Sequence, residues 1–157
     1  MKELTEYRMN LIERLEDAAH AFREECLAVK DPYAPLDADG WNVHQIAVHT
    51  RDVDELVYGL RARRTATEDN PEFPSFDGDA YMGANYNSSE SLSELLNGFV
   101  ENVKVLTELL RALPLQAWSR VSRHPILGSD LTLQTWVEKD LAHIEEHLET
   151  VKHQSRK

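Results

Sequence analysis

The chain has 157 residues, 41% hydrophobic and 29% charged, a globular mixture sufficient for one substantial core and read as a single domain over residues 1–157. Seventeen basic residues against twenty-eight acidic ones leave a net charge of −11, which repels phosphate backbones and sets nucleic acid aside as a partner. The single cysteine, Cys26, excludes an internal disulfide and a thiolate zinc site, so any metal must be held by His, Asp or Glu.

The N-terminus, MKELTEYRMN, has no uninterrupted apolar targeting segment, and no stretch nears the roughly 18 apolar residues of a membrane span. A soluble, cytoplasmic protein without a membrane partner is expected. From about Lys2 to Leu27, the residues Leu4, Leu11, Leu15, Ala18, Phe22 and Cys26 recur at helical period and predict the first helix, with His20 on its outer side. Cys26, near the stripe's edge, reads as a buried and inert thiol. Residues 31–40, DPYAPLDADG, form a connection.

The second helix begins at Asn42, with Gln45 as its capping-box partner and Trp41 and Ile46 as a hydrophobic staple. Val43, Ile46, Val53, Leu56, Val57 and Leu60 define its buried arc. At about 100° per residue, His49 falls inside that arc and His44 on the opposite, outward side. An imidazole on an apolar stripe has to find a hydrogen-bond partner or a metal. Alone, His49 reads as a satisfied core histidine. Arg61, Arg63 and Arg64 are placed to complement the dipole at a helix C-terminus.

Residues 65–87 combine Pro71, Pro74, Gly78 and Gly83 with Phe73, Phe76, Tyr81, Met82 and Tyr86. Connections beyond about 12–15 residues are usually functional or carry an element of their own, and Asp77 to Met82 suits a helical turn. The aromatics either cover one end of the core or wall a substrate pocket. A third helix, capped by Asn87 with Glu90, runs to about Leu113 and supplies packing rather than chemistry. The connection 114–131 follows, with Trp118 and a solvent-facing His124 before Pro125.

The fourth helix starts near Thr132, stapled by Leu131 and Trp136, with Leu133, Val137, Leu141, Ile144, Leu148 and Val151 inside. His143 and His147 occupy one flank of this stripe in line with Trp136 and Asp140, where side chains face a neighbouring helix. His153 falls in a frayed basic tail ending at Lys157.

Four amphipathic helices without a strand pattern predict an all-α four-helix bundle whose long connection between helices two and three permits a crossover. Imidazoles at i and i+4 can converge on one cation, and His49 from a facing helix would complete a three-nitrogen set with open positions, suited best to zinc or nickel while also admitting iron or cobalt. Asp52 and Asp140 are placed to orient these imidazoles, or are idle exposed residues. His143 to His147 also fits the H-x-x-E-H string of inverted zinc peptidases. Only ten residues follow His147, too few for a downstream third ligand, and Glu146 projects away from the apolar stripe.

The segment from Trp41 to His49, WNVHQIAVH, resembles the W-x7-H segment of the DinB-like (YfiT-like) superfamily. The stretch from Leu131 to Leu148 is similar to that family's last helix with its H-x3-H pair, and the ordered set spans nearly the whole chain. The resemblance implies a four-helix bundle, commonly a homodimer, holding one divalent metal, often zinc or nickel, through His49, His143 and His147. It also implies a metal-dependent transferase acting on a small-molecule substrate with a low-molecular-weight thiol such as bacillithiol or mycothiol. The thiol, its pKa lowered at the open position, would attack an electrophilic carbon in a pocket walled by parts of residues 65–87 and by Trp118 or Trp136. A metal-dependent hydrolase and a non-catalytic, stress-related metal-binding and dimerisation module are the alternatives.

Overall fold

The computed structural model describes residues 1–36 and 40–155; positions 37–39 of the first connection and 156–157 of the basic tail lie outside the described residues. Helix α1 spans Lys2–Ala28 and buries Leu11, Leu15, Ala18, Phe22 and Cys26 as its stripe predicts, although Leu4 at the open end is exposed. Helix α2, Val43–Val53, starts at a closed capping box. Asn42 Oδ1 accepts from the Gln45 amide at 2.8 Å, and Gln45 Oε1 accepts from the Asn42 amide at 2.9 Å. The helix then runs without a break through a π-helical segment, Asp54–Tyr58, into α3, Gly59–Thr67.

The π segment was not foreseeable from the apolar period. Its wide turn is closed by the Gly59 amide donating to the Asp54 carbonyl. A Cβ on Gly59 would stand 2.5 Å from that oxygen, so glycine is needed here for close approach.

Helix α4, Gly78–Asn85, is capped by Asp77, whose Oδ1 accepts from the Ala80 amide at 3.0 Å, and realises the expected element inside the long connection. Helix α5 covers Leu92–Ala112 and is capped by Ser91 with the Glu94 amide, not by Asn87. Asn87 Oδ1 instead accepts from the Ser89 amide in a local turn, the alternative use that short polar side chains have for their oxygens.

A 3-10 turn at Leu115–Ser119 leads into strands β1, Val121–His124, and β2, Gly128–Thr132, which pair antiparallel with a bulge. Purely all-α architecture therefore needs correction. The hairpin is too short and too charged to show a period-2 pattern. Long-range pairing supports it, because the Arg123 amide donates to Pro71 O and the Phe73 amide to Arg123 O, each at 2.9 Å. His124, expected in solvent, is buried, and its Nδ1 accepts from the Ile126 and Leu127 amides at 3.1 Å. Helix α6 runs Leu133–Ser155, so His153 lies in its exposed last turn and not in an unfolded tail.

Helix α1 packs between α5 and α6, and the continuous rod of residues 43–67 does the same from the other side. The rod and α1 therefore oppose each other across one diagonal of the bundle, and α5 and α6 across the other. The chain therefore passes between diagonal rods from α1 to α2 and from α5 to α6, the latter through residues 113–132, whereas the long 68–91 connection joins adjacent rods. No helix among the described residues is long and apolar enough to cross a membrane.

The aromatic core gathers at the hairpin end. Trp118 and Trp136 are fully buried there; Trp136 Nε1 donates to Ser122 Oγ at 2.6 Å, and the Arg8 and Arg61 guanidinium groups lie over the two indoles. Arg61 is thus a buried core cation that donates to Pro74 O at 3.0 Å, not a solvated residue at a helix end.

Candidate metal centre

The rod and α6 pack directly on each other, and this contact brings together the three histidines chosen from their spacing. His49, His143 and His147 each offer a ring nitrogen within 4.8 Å of the others. His143 Nε2 and His147 Nε2 are 3.1 Å apart, one helical turn separating their backbones. Two nitrogens held by one cation at ordinary bond lengths of about 2.05 Å stand about 2.9 Å apart at a right angle and about 3.3 Å apart at a tetrahedral one. The observed separation falls between these, so the pair fits a shared cation without rearrangement.

The electrostatics suit lone-pair donors. Burial pushes the His143 imidazole down to about 3 and His147 down to about 4, with the neighbouring imidazoles adding in the same direction. Both are therefore neutral at pH 7, the form that ligates metals. His49, half-buried, is also lowered by burial, while the charges of Asp79, Asp52 and Glu146 act against that shift. His143 Nδ1 is buried without a hydrogen-bond partner. Aromatic rings close two sides: Trp41 lies 5.1 Å from His49 and Tyr58 lies 5.3 Å from His143, centroid to centroid. Gly78, at the start of α4, sits against the outer edge of His49, where an added Cβ would come within 3.3 Å of Cε1.

His147 opens onto a cavity of about 710 Å³ whose walls include Trp41, Ile46, Met82 and Tyr86. Met82 and Tyr86 belong to the long connection, so part of it does wall a pocket, while Phe73 covers the core as the other reading had it. Trp118 and Trp136 do not reach this cavity and are sequestered at the hairpin end.

Asp79 and Glu146 also line the cavity; Asp79 has no signal in the sequence, and Glu146, expected to point away from the centre, stands at its edge. Asp79 has no periodic context. Glu146 is off the apolar stripe, as expected, but the cavity opens on that flank, only about 60° around the helix from His143.

The two carboxylates proposed to orient the imidazoles are placed differently. Asp52 is partly buried and accepts from Arg51 Nε at 3.0 Å, near enough for its charge to act on His49. Asp140 is fully buried rather than exposed, and neither of its oxygens finds a donor. Its neighbour is Asp54, equally buried and presented by the π segment. Burial, together with the charge of the facing Asp54, holds the Asp140 carboxyl well above the usual range, and burial raises Asp54 as well. A proton shared by the pair would supply the missing donor.

His44 is the further correction. It is fully buried, with Nε2 donating to Glu90 O at 2.8 Å and Nδ1 accepting from the Tyr86 hydroxyl at 2.6 Å, and it stacks on Tyr33. The carbonyl can only accept, which fixes the tautomer.

The fold has a counterpart in a solved structure. YfiT from Bacillus subtilis, described as a probable metal-dependent hydrolase with an unusual four-helix bundle topology, superposes with a TM-score of 0.85 at 24% sequence identity, over 96% of this chain and 87% of that one. No curated protein matches the sequence. The family assignment rests on the sequence itself: the family model described as DinB superfamily matches residues 3–151, nearly the whole length, and the chain belongs to that superfamily.

Proposed function

We propose that this protein is a metal-dependent enzyme in which His49, His143 and His147 hold one divalent cation, zinc or nickel, beside a small-molecule substrate in the adjoining cavity. The observation that carries this reading is the convergence of three imidazole nitrogens within 4.8 Å at the edge of a cavity of about 710 Å³. When bound, the cation supplies Lewis acidity that makes water or a thiol a nucleophile near pH 7. The chain's own residues keep two of the imidazoles unprotonated by burial and hold them one turn apart on α6. Trp41, Ile46, Met82 and Tyr86 give the substrate an apolar wall, and Glu146 stands beside His147 as an acceptor for a released proton.

Hydrolysis is the chemistry these features favour, because a carboxylate at the cavity serves the deprotonation of water, and the similar fold of YfiT is described as that of a probable hydrolase. Thiol transfer is the second reading, favoured by the cavity volume of about 710 Å³, which accommodates a thiol and an electrophile together.

Metal analysis of protein purified without a nickel column tests the centre: about one equivalent is expected in the wild type and a large loss in His49→Ala. Assays of the metal-loaded protein on activated esters and on electrophiles, with and without a low-molecular-weight thiol, then separate the chemistries. Ester turnover without thiol supports hydrolysis, and strictly thiol-dependent consumption supports transfer. Absence of metal together with an unchanged His49→Ala variant overturns the whole reading.

A further inference from the structure

The cavity beside the histidines has an uneven charge. Among the described residues its only charged wall residues are Asp79 and Glu146, both acids, and no Lys or Arg lines it. Neither carboxylate takes part in an ion pair among the described residues. They are therefore not spoken for by the fold, unlike Glu90 and Glu16, which face Arg51 and Arg111. The same wall carries the side chains of Trp41 and Tyr86, and Tyr86 is held in place by the buried His44. Indole and phenol rings present negative faces to a ligand, and carboxylates beside them reinforce that field. The net charge of −11 adds to the bias at long range.

We infer that the cavity selects a substrate whose non-reacting portion is an organic cation, an ammonium or quaternary ammonium group on a small apolar body, held between Trp41, Tyr86 and Asp79, with the charge of Glu146 adding to the attraction from the reacting side. This rests on the reading of the cavity as the substrate site of the histidine centre. The reacting end of such a molecule lies toward His147, and its cationic end toward the aromatic and acidic wall. A tertiary-butyl group of the same shape loses the cation–π and ionic attraction, and a carboxylate meets like charge. Anionic thiols and phosphorylated substrates are disfavoured for the same reason.

Three probes of one shape and size class, choline, 3,3-dimethylbutan-1-ol and 3,3-dimethylbutanoate, test this on the full-length, chelator-treated protein, with the Trp indole resonances followed by NMR. Choline is expected to bind about tenfold more tightly than the carboxylate, with the neutral alcohol between them. In Asp79→Asn/Glu146→Gln the preference should collapse to about threefold or less, and Trp41→Leu should weaken choline selectively. Equal or tighter binding of the carboxylate, no binding of choline, or an unchanged preference in the double variant overturns the inference. Zinc stoichiometry on the same preparations keeps the two readings apart, since all three histidines remain in each variant. Zinc bound without cation preference removes only the substrate class, and failure to bind zinc removes the metal centre itself.

Discussion

His44 and His49 lie on one helix and serve different ends. Both nitrogens of His44 are committed to Tyr86 and Glu90, whereas His49 faces His143 and His147. His44→Phe keeps the ring volume but strands the Glu90 carbonyl and the Tyr86 hydroxyl, and is expected to cost about 2 kcal/mol in chemical denaturation while leaving metal stoichiometry unchanged. Loss of metal in that variant would instead make His44 part of the centre. Helical angle found His49 because its partner helix covers the apolar arc. The same angle misplaced His44, since the 86–90 segment that buries it comes from a different part of the chain and leaves no trace in the period of residues 43–60. Cys26 was legible for the opposite reason, its burial being set within its own stripe. Fully buried and pushed up to about 12, its thiol should resist iodoacetamide in the native protein and react fully once denatured, as mass spectrometry will show. Native-state alkylation would mean that α1 opens locally.

At the scale of elements, the long apolar stripes identified the helical rods, because each is a local pattern repeated several times; of the two capping boxes read from the sequence, that of Asn42 forms and that of Asn87 does not. The hairpin and the π segment escaped for a shared physical reason: both are held by contacts outside any periodic window. The hairpin leans on Pro71 and Phe73, and the π turn depends on the absence of one Cβ at Gly59. Gly59→Ala drives a methyl to 2.5 Å from Asp54 O and must break the 54–59 closure or shift the rod. A loss of about 1–3 kcal/mol in unfolding free energy is expected, with weaker metal binding because Tyr58 and His49 flank the disturbed turn. A variant as stable as the wild type would show that the wide turn is dispensable. Gly78→Ala acts more gently. Its Cβ, at 3.3 Å from His49 Cε1, should push the imidazole by a few tenths of an ångström and lower metal affinity while leaving the melting temperature nearly unchanged.

Across the whole molecule, two sets of buried titratable groups set opposite demands on pH. The folded His143 and His147 have values near 3 and 4, below the 6.5 of an unfolded imidazole, so between about pH 6.5 and pH 4 the unfolded chain binds more protons and stability falls as acid is added. Asp54 and Asp140 are displaced the other way, above the 3.8 of an unfolded aspartate. Through the window above 3.8 the folded chain binds more protons, so their contribution is present in acid and is lost as pH rises through the raised values. The two slopes oppose each other over the same mildly acidic range, and the chelated protein should be most stable below neutrality rather than at its pI or above pH 7. Asp54→Asn/Asp140→Asn removes the second slope while keeping the side-chain shape and adding amide donors. Its melting temperature, followed from pH 4.5 to 8 in chelator, should climb to about pH 6.5 and then level off, with the descending limb gone. A profile whose maximum does not move would mean that the carboxyl pair carries no shared proton. Added zinc should raise the melting temperature of both proteins mainly above about pH 5, because below that the imidazoles begin to exchange the cation for protons, and this separates the histidine limb from the aspartate one.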